Sequence, residues 1–122
     1  MAREVSSISA LNRLQAVAAR IHVEDDLCEY AVALSEYTRN DPKVVLGASP
    51  RASLSLLRAA KGHAMLSGRA YLTPDDIRAV AAGVLAHRLV VAPDLEDDAA
   101  VRASVVTAAL RDVRYRRSVR PV

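Results

Sequence analysis

Phenylalanine and tryptophan are missing from this chain of 122 residues, tyrosine occurs four times and cysteine once. So few rings exclude a base-stacking platform of the kind that single-stranded nucleic acid needs. The lone Cys28 excludes an internal disulfide and a thiolate zinc cluster, agrees with a reducing compartment, and reads as a packing residue. Four glycines and five prolines are too few for a disordered, collagen-like or turn-rich all-β protein. No apolar run approaches the roughly 18 residues of a membrane span, and no basic segment followed by an apolar stretch opens the chain. The expectation is a soluble, cytoplasmic protein with no membrane partner.

What is present is aliphatic. Hydrophobic residues make up 52% and charged residues 25%, with Ala, Leu and Val carrying the apolar content, which suits closely approaching helices. The length fits one domain with a real core but not most complete enzymes built on a nucleotide-binding sheet. The expected fold is all-α, a small bundle of about four to five helices with, at most, a minor short strand pair. The net charge is +3 and the pI about 9.4. Much of the excess sits near the end, in Arg111, Arg114, Arg116, Arg117 and Arg120, a run that suits an acidic partner.

Periodicity places the elements. Ser6 and Ser7 can cap a first helix with Leu11, Leu14, Val17, Ala18 and Ile21 on one face. Glu24, Asp25 and Asp26 suit the start of a second helix, whose stripe is Leu27, Tyr30, Ala31, Leu34 and Tyr37 and which Asp41-Pro42 ends. Lys43 to Leu46 reads as a connector or minor strand, and Gly47 as a turn. Ser49-Pro50 is the best helix start, a hydroxyl cap followed by proline at the first helical position. The helix from Pro50 to Leu66 has two apolar sides, Leu54, Leu57, Ala60, Ala64 and Met65 on one and Ala52, Leu56 and Ala59 on the other. A polar seam of Arg51, Ser55, Arg58 and Gly62 lies between them, and Lys61 in the apolar sector must snorkel. After the Ser67-Gly68-Arg69 turn and an extended Tyr71-Leu72, Thr73-Pro74-Asp75-Asp76 starts another helix with Asp76 as a capping-box acid and Ile77, Val80, Ala81, Val84 and Leu85 as its stripe. Pro93 breaks the chain after Leu89-Val90-Val91, and Leu95 to Asp98 lead into a last helix bearing Val101, Val105 and Ala108.

Catalytic and metal chemistry finds little support. His22, His63 and His87 lack metal-ligand spacing and read as surface or cap histidines, so no metal is implied. Asp75-Asp76 and Glu96-Asp97-Asp98 sit at helix starts, where acids complement the dipole. No nucleophile motif accompanies Cys28. The segment that rises above this background is Gly47-Ala48-Ser49-Pro50-Arg51-Ala52. A helix N-terminus there presents free N–H groups, and Arg51 adds a permanent cation with several donors, an arrangement suited to a phosphate.

Gly47 to Ala52, Leu54, Leu57-Arg58-Ala59-Ala60, Gly68-Arg69, Tyr71-Leu72-Thr73-Pro74-Asp75-Asp76-Ile77, Val84-Leu85 and His87-Arg88-Leu89 together resemble the C-terminal lid domain of MoxR-type AAA+ ATPases. Ile21-His22-Val23, Tyr30, Leu34 and Thr38-Arg39 extend the resemblance over roughly Leu11 to Leu89. Lids of magnesium-chelatase ATPase subunits share the Gly-Arg, Thr-Pro-Asp-Asp and His-Arg motifs and are the nearest confusable relatives. The resemblance implies that Arg51 is the sensor 2 residue, reaching the γ-phosphate of ATP held by the large α/β domain, with Ser49 and Pro50 beside it. The phosphate loop and the acidic strand that would hold ATP and magnesium are not in this sequence. The chain therefore reads as a lid without its ATPase core, cofactor-free and inactive by itself.

On this reading residues 1–113 form the lid and residues 114–122 a basic tail. The resemblance implies as partners the N-terminal AAA+ core of the same protein, neighbours in a hexameric ring, and a protein with a von Willebrand A-type domain. Its work would be chaperone-like remodelling or metal-cofactor insertion. The alternative is a free-standing basic helical adaptor for nucleic acid or an acidic protein, using the tail with Arg51 and Arg58. Only Tyr115 interleaves the tail arginines and no recognition helix stands out, so nucleic acid is not the expected partner.

Overall fold

The structure is a computed structural model that describes residues 9, 10, 12, 13, 16, 20–47, 49–91 and 98–117. Residues 9, 10, 12, 13 and 16 have helical backbone, while Leu11, Leu14, Val17 and Ala18 of the expected first stripe lie outside the described residues, as do Ala48, Pro93, Leu95 to Asp97 and Arg120.

The first fully described helix, α1 (Asp25–Arg39), has Asp25 and Asp26 in its first turn and closes at Asn40. Leu27, Tyr30, Ala31 and Leu34 are buried as the stripe requires, and Tyr37 is half-buried. Ser35 and Thr38 are buried as well, which periodicity did not suggest. Each hydroxyl is satisfied on its own helix, donating to the carbonyls of Ala31 at 3.1 Å and Ser35 at 2.6 Å, so its burial carries no unpaired polar atom.

Strand β1 (Val44–Leu46) follows, then α2 (Pro50–Leu66). In α2 the buried residues are Ala52, Leu56, Ala60 and Ala64, an i, i+4 row of mostly small side chains that lets neighbouring backbones come close, with Ser53 beside it. Ser53 donates to the Ser35 hydroxyl at 3.1 Å across the contact with α1. Of the two expected apolar sides, the one bearing Leu54, Leu57, Ala60, Ala64 and Met65 is buried only in part: Ala60 and Ala64 are fully buried, whereas Leu57 is half-buried and Leu54 58% exposed. Helix α2 is fully buried along the Ala52–Ala64 row, while on its other apolar side Leu57 and Met65 pack against the core only in part and Leu54 is mostly exposed.

Helix α2 ends in a glycine reversal. Gly68 takes φ 77°, its N–H donates to the Met65 carbonyl and that of Arg69 to Ala64, both at 3.0 Å, the paired bonds of a Schellman cap that needs a left-handed residue. Residues 70–72 then run beside His22, which exchanges backbone hydrogen bonds with Ala70 and Leu72 at 2.9 Å. Helix α3 (Pro74–Leu85) begins with the expected capping box of Thr73 and Asp76, and buries Ile77, Ala81 and Leu85. A 3-10 turn (Ala86–Arg88) leads to β2 (Val90–Val91), antiparallel to β1 with Val44 opposite Val91 and Leu46 opposite Val90. Helix α4 (Asp98–Asp112) buries Val105, Val106 and Ala109. Its expected stripe of Val101, Val105 and Ala108 is thus out of phase except at Val105, because α4 packs against α1, α3 and the 3-10 turn together. The architecture is all-α with a minor strand pair.

Gly47 is not a left-handed turn residue, since Gly68 alone among the described glycines has a positive φ. It is small because the end of α1 passes over it: a Cβ there would overlap Arg39 Cα and Cγ and lie 2.8 Å from Arg39 Cβ.

Candidate functional site

Ser49 is the N-cap residue of α2 by its extended backbone, φ −75° and ψ 167°, and Pro50 occupies the first helical position. The Ser49 side chain makes no capping hydrogen bond, so the expectation of a hydroxyl cap is corrected. The chain enters the helix on its backbone alone, with the Ala52 N–H donating to the Ser49 carbonyl at 2.8 Å. Ser49, Pro50 and Arg51 are all exposed, and no acid lies in the first turn. The helix end therefore keeps the partial positive charge of its free amides, and Arg51 adds a full charge to it.

Arg51, Ser55 and Arg58 fall along one seam, as the sequence indicates, with both arginines exposed. Neither arginine has a hydrogen bond or ion pair among the described residues. A third arginine joins them from another element: Arg88, in the 3-10 turn, donates from its guanidinium to the Ser55 hydroxyl at 3.0 Å. Sequence reasoning gave Arg88 no role. Its place became visible only when the turn after α3 was laid against the start of α2.

A second polar cluster sits at the other end of α2. Asp76 is fully buried and takes hydrogen bonds from the Thr73 N–H at 2.8 Å and the Thr73 hydroxyl at 2.9 Å. His63 Nδ1 lies 2.7 Å from one of its oxygens, and the Arg69 guanidinium pairs with both, reaching the second at 3.3 Å. Burial pushes the Asp76 carboxyl up; the bonds from His63 and Thr73 and the charge of Arg69 outweigh it and hold the carboxyl below its ordinary value. Asp76 is thus more than a capping acid, and His63 is not a lone surface histidine. This cluster locks three consecutive pieces together, the end of α2, the Gly68 reversal and the start of α3. Among the described residues no three His, Cys, Asp or Glu side chains converge as a metal site, and no helix is long and apolar enough to cross a membrane.

The arginine-rich end is partly fastened. Tyr37 donates to the Asp112 carboxylate, which Arg111 also contacts at 2.9 Å, and the bonds from Arg111 and Tyr37 bring the Asp112 pKa down to about 2. Tyr115 packs edge-on against Tyr30 with centroids 5.9 Å apart, while Arg114, Arg116 and Arg117 are exposed.

The sequence profile of the AAA lid domain family matches residues 36–108, which takes in β1, α2, both polar clusters and most of α4. The chain belongs to that family. It is a lid of the MoxR type: Chaperone MoxR1 of Mycobacterium tuberculosis is 38% identical over 121 residues, 92% of this chain and 32% of its own length. Protein MoxR of Methylorubrum extorquens is 52% identical over 50 residues, 41% of this chain and 15% of its own. YeaC of Bacillus subtilis, an uncharacterized protein, is 40% identical over 81 residues, 66% of this chain and 25% of its own. The crystal structure of an ATPase candidate from Cytophaga hutchinsonii superposes on the lid with a TM-score of 0.75 at 26% identity, covering 83% of this chain and 33% of that one. The lid spans about a third or less of the length of each of these relatives.

Proposed function

We infer that this lid works in a MoxR-type AAA+ ATPase, where Arg51 reaches the γ-phosphate of ATP with Ser49 and Pro50 lining the approach. The observation that carries the reading is the exposed Arg51, unpaired among the described residues, in the acid-free first turn of α2 in a chain of this family. An uncompensated cation beside free amides gains most from an anion. These donors fit a phosphate; none of them fits magnesium, which belongs with the ATPase core. Bound ATP supplies the triphosphate whose terminal group is transferred to water. The lid orients that group and exchanges its contact with Arg51 for solvent once the γ-phosphate is gone, so lid and core no longer favour one geometry. Through that change the lid passes nucleotide state to its own core and to neighbours in a hexameric ring.

Chaperone-like remodelling or metal-cofactor insertion in a cytoplasmic client, with a von Willebrand A-type protein as co-partner, completes the reading by family analogy. Residues 1–113 act as the lid and 114–122 as a basic tail. Arg51→Ala is the test. In the 122-residue chain it should change stability by no more than about 0.5 kcal/mol, because an exposed cation in a first turn contributes little. In a protein carrying both core and lid it should slow ATP hydrolysis by roughly 10-fold to 1000-fold. Wild-type turnover in that variant would make Arg51 an ordinary surface arginine.

A further inference from the structure

We propose that Arg88 is a second phosphate-contacting residue of this lid, held in place by Ser55, so that the seam takes a polyphosphate between two guanidinium groups rather than one. The proposal deepens the Arg51 reading and rests on it.

Ser55 lies one helical turn beyond Arg51 on the same side of α2, and side chains four apart on a helix are neighbours. A guanidinium bonded to the Ser55 hydroxyl at 3.0 Å therefore lies on the seam that carries Arg51, whose Cα is four residues, ~6 Å of rise, from that of Ser55. Arg88 comes from the short turn between α3 and β2, and β2 is pinned by pairing with β1. The chain two residues beyond Arg88 is thus held against the strand that leads into α2. Arg58 extends the strip by a further turn. Three arginines from two elements share one exposed strip, and among the described residues none of them forms an ion pair. Elsewhere in the lid, Arg69 and Arg111 have carboxylate partners.

Like charges gathered without counter-charge repel one another, and the repulsion is relieved by an anion that touches more than one of them. A single phosphate satisfies one guanidinium fork; a chain of phosphates spaced a few ångströms apart can satisfy two. Ser55 is a positioning residue, since it holds Arg88 on the seam and leaves the rest of its fork free to bind.

The test is a titration of the 122-residue chain with inorganic tripolyphosphate at low ionic strength, followed by backbone amide shifts. Saturable binding in the millimolar range is expected, with the largest shifts around Arg51, Ser55 and Arg88. Arg88→Gln should weaken it by about 3- to 10-fold without altering the melt, and weaken its salt dependence. Ser55→Ala should weaken it by less, while Ser55→Thr, which keeps the hydroxyl, should restore it. Arg114→Ala, on the exposed chain end beyond α4, serves as the control and should bind as wild type. If Arg51→Ala weakens binding and Arg88→Gln does not, the two-arginine site is wrong and the single Arg51 contact stands. If Arg88→Gln weakens it and Arg51→Ala does not, the Arg51 reading fails instead. No binding by the wild-type chain, or a preference for a short DNA duplex over tripolyphosphate at physiological salt, overturns the proposal.

Discussion

Asp76 is fully buried and still charged, because every side of its carboxylate meets a donor: Thr73 twice, His63 and Arg69. Removing the charge from such a residue strands the groups around it. Arg69 and His63 keep partial access to water, which limits the loss, so Asp76→Asn should cost about 1 to 3 kcal/mol in a denaturant melt. The pH dependence follows from the lowered pKa. A carboxyl that titrates lower in the native state than in the unfolded chain stabilises fully above the unfolded value and loses that contribution as pH falls through the native one. Between pH 5 and 8 Asp76 should therefore contribute a constant amount. Below its ordinary value of 3.8 the contribution should fade, and thermal melts from pH 5 down to pH 2 should fall less steeply for Asp76→Asn than for wild type. Asp112, lowered to about 2 by Arg111 and Tyr37, acts in the same direction from an exposed site. The sequence shows Asp76 as a helix-start acid and nothing more, since its partners His63 and Arg69 become its neighbours only through the Gly68 reversal.

At the scale of the element, α2 separates residues that look alike in sequence. Leu56 is completely buried, Leu57 half-buried and Leu54 mostly exposed, although all three belong to apolar sectors of the same helix. Leu56→Ala should cost about 2 to 5 kcal/mol and Leu57→Ala less, whereas Leu54→Ala should stay within about 0.5 kcal/mol. Equal losses for Leu54 and Leu56 in parallel chemical melts would show that α2 is covered on both sides. Gly47 makes a second contrast. Its backbone is not left-handed, so alanine brings no torsional penalty there, but the new methyl group would run into the backbone of Arg39. Gly47→Ala should destabilise by about 1 to 3 kcal/mol through overpacking. An unchanged melting temperature would mean that the end of α1 moves aside without cost.

At the scale of the whole molecule, the exposure of the Arg51 seam limits what the 122-residue chain can bind. Arg51, Arg58 and Arg88 lie on an exposed strip along α2, with no enclosing wall among the described residues. The 122-residue chain should therefore turn over no ATP and bind it no better than millimolar, on the order of a few kcal/mol. Micromolar saturation in a calorimetric titration, or phosphate release above a buffer blank, would contradict this.

The sequence by itself determined the all-α class, the starts of α2 and α3, the α1 stripe, the seam bearing Arg51 and the family. Each rests on local chemistry: proline at a first helical turn, a capping box, a 3.6-residue period, or motifs read in order along the chain. Which side of α2 is covered, the phase of α4, the burial of Ser35, Ser53 and Thr38, and the meeting of Arg88 with Ser55 were decided by tertiary structure. The physical reason is that a helical period shows which residues share a face but not which face acquires a neighbour. Residues 33 apart in the chain, as Ser55 and Arg88 are, become neighbours only when α3 folds back along α2.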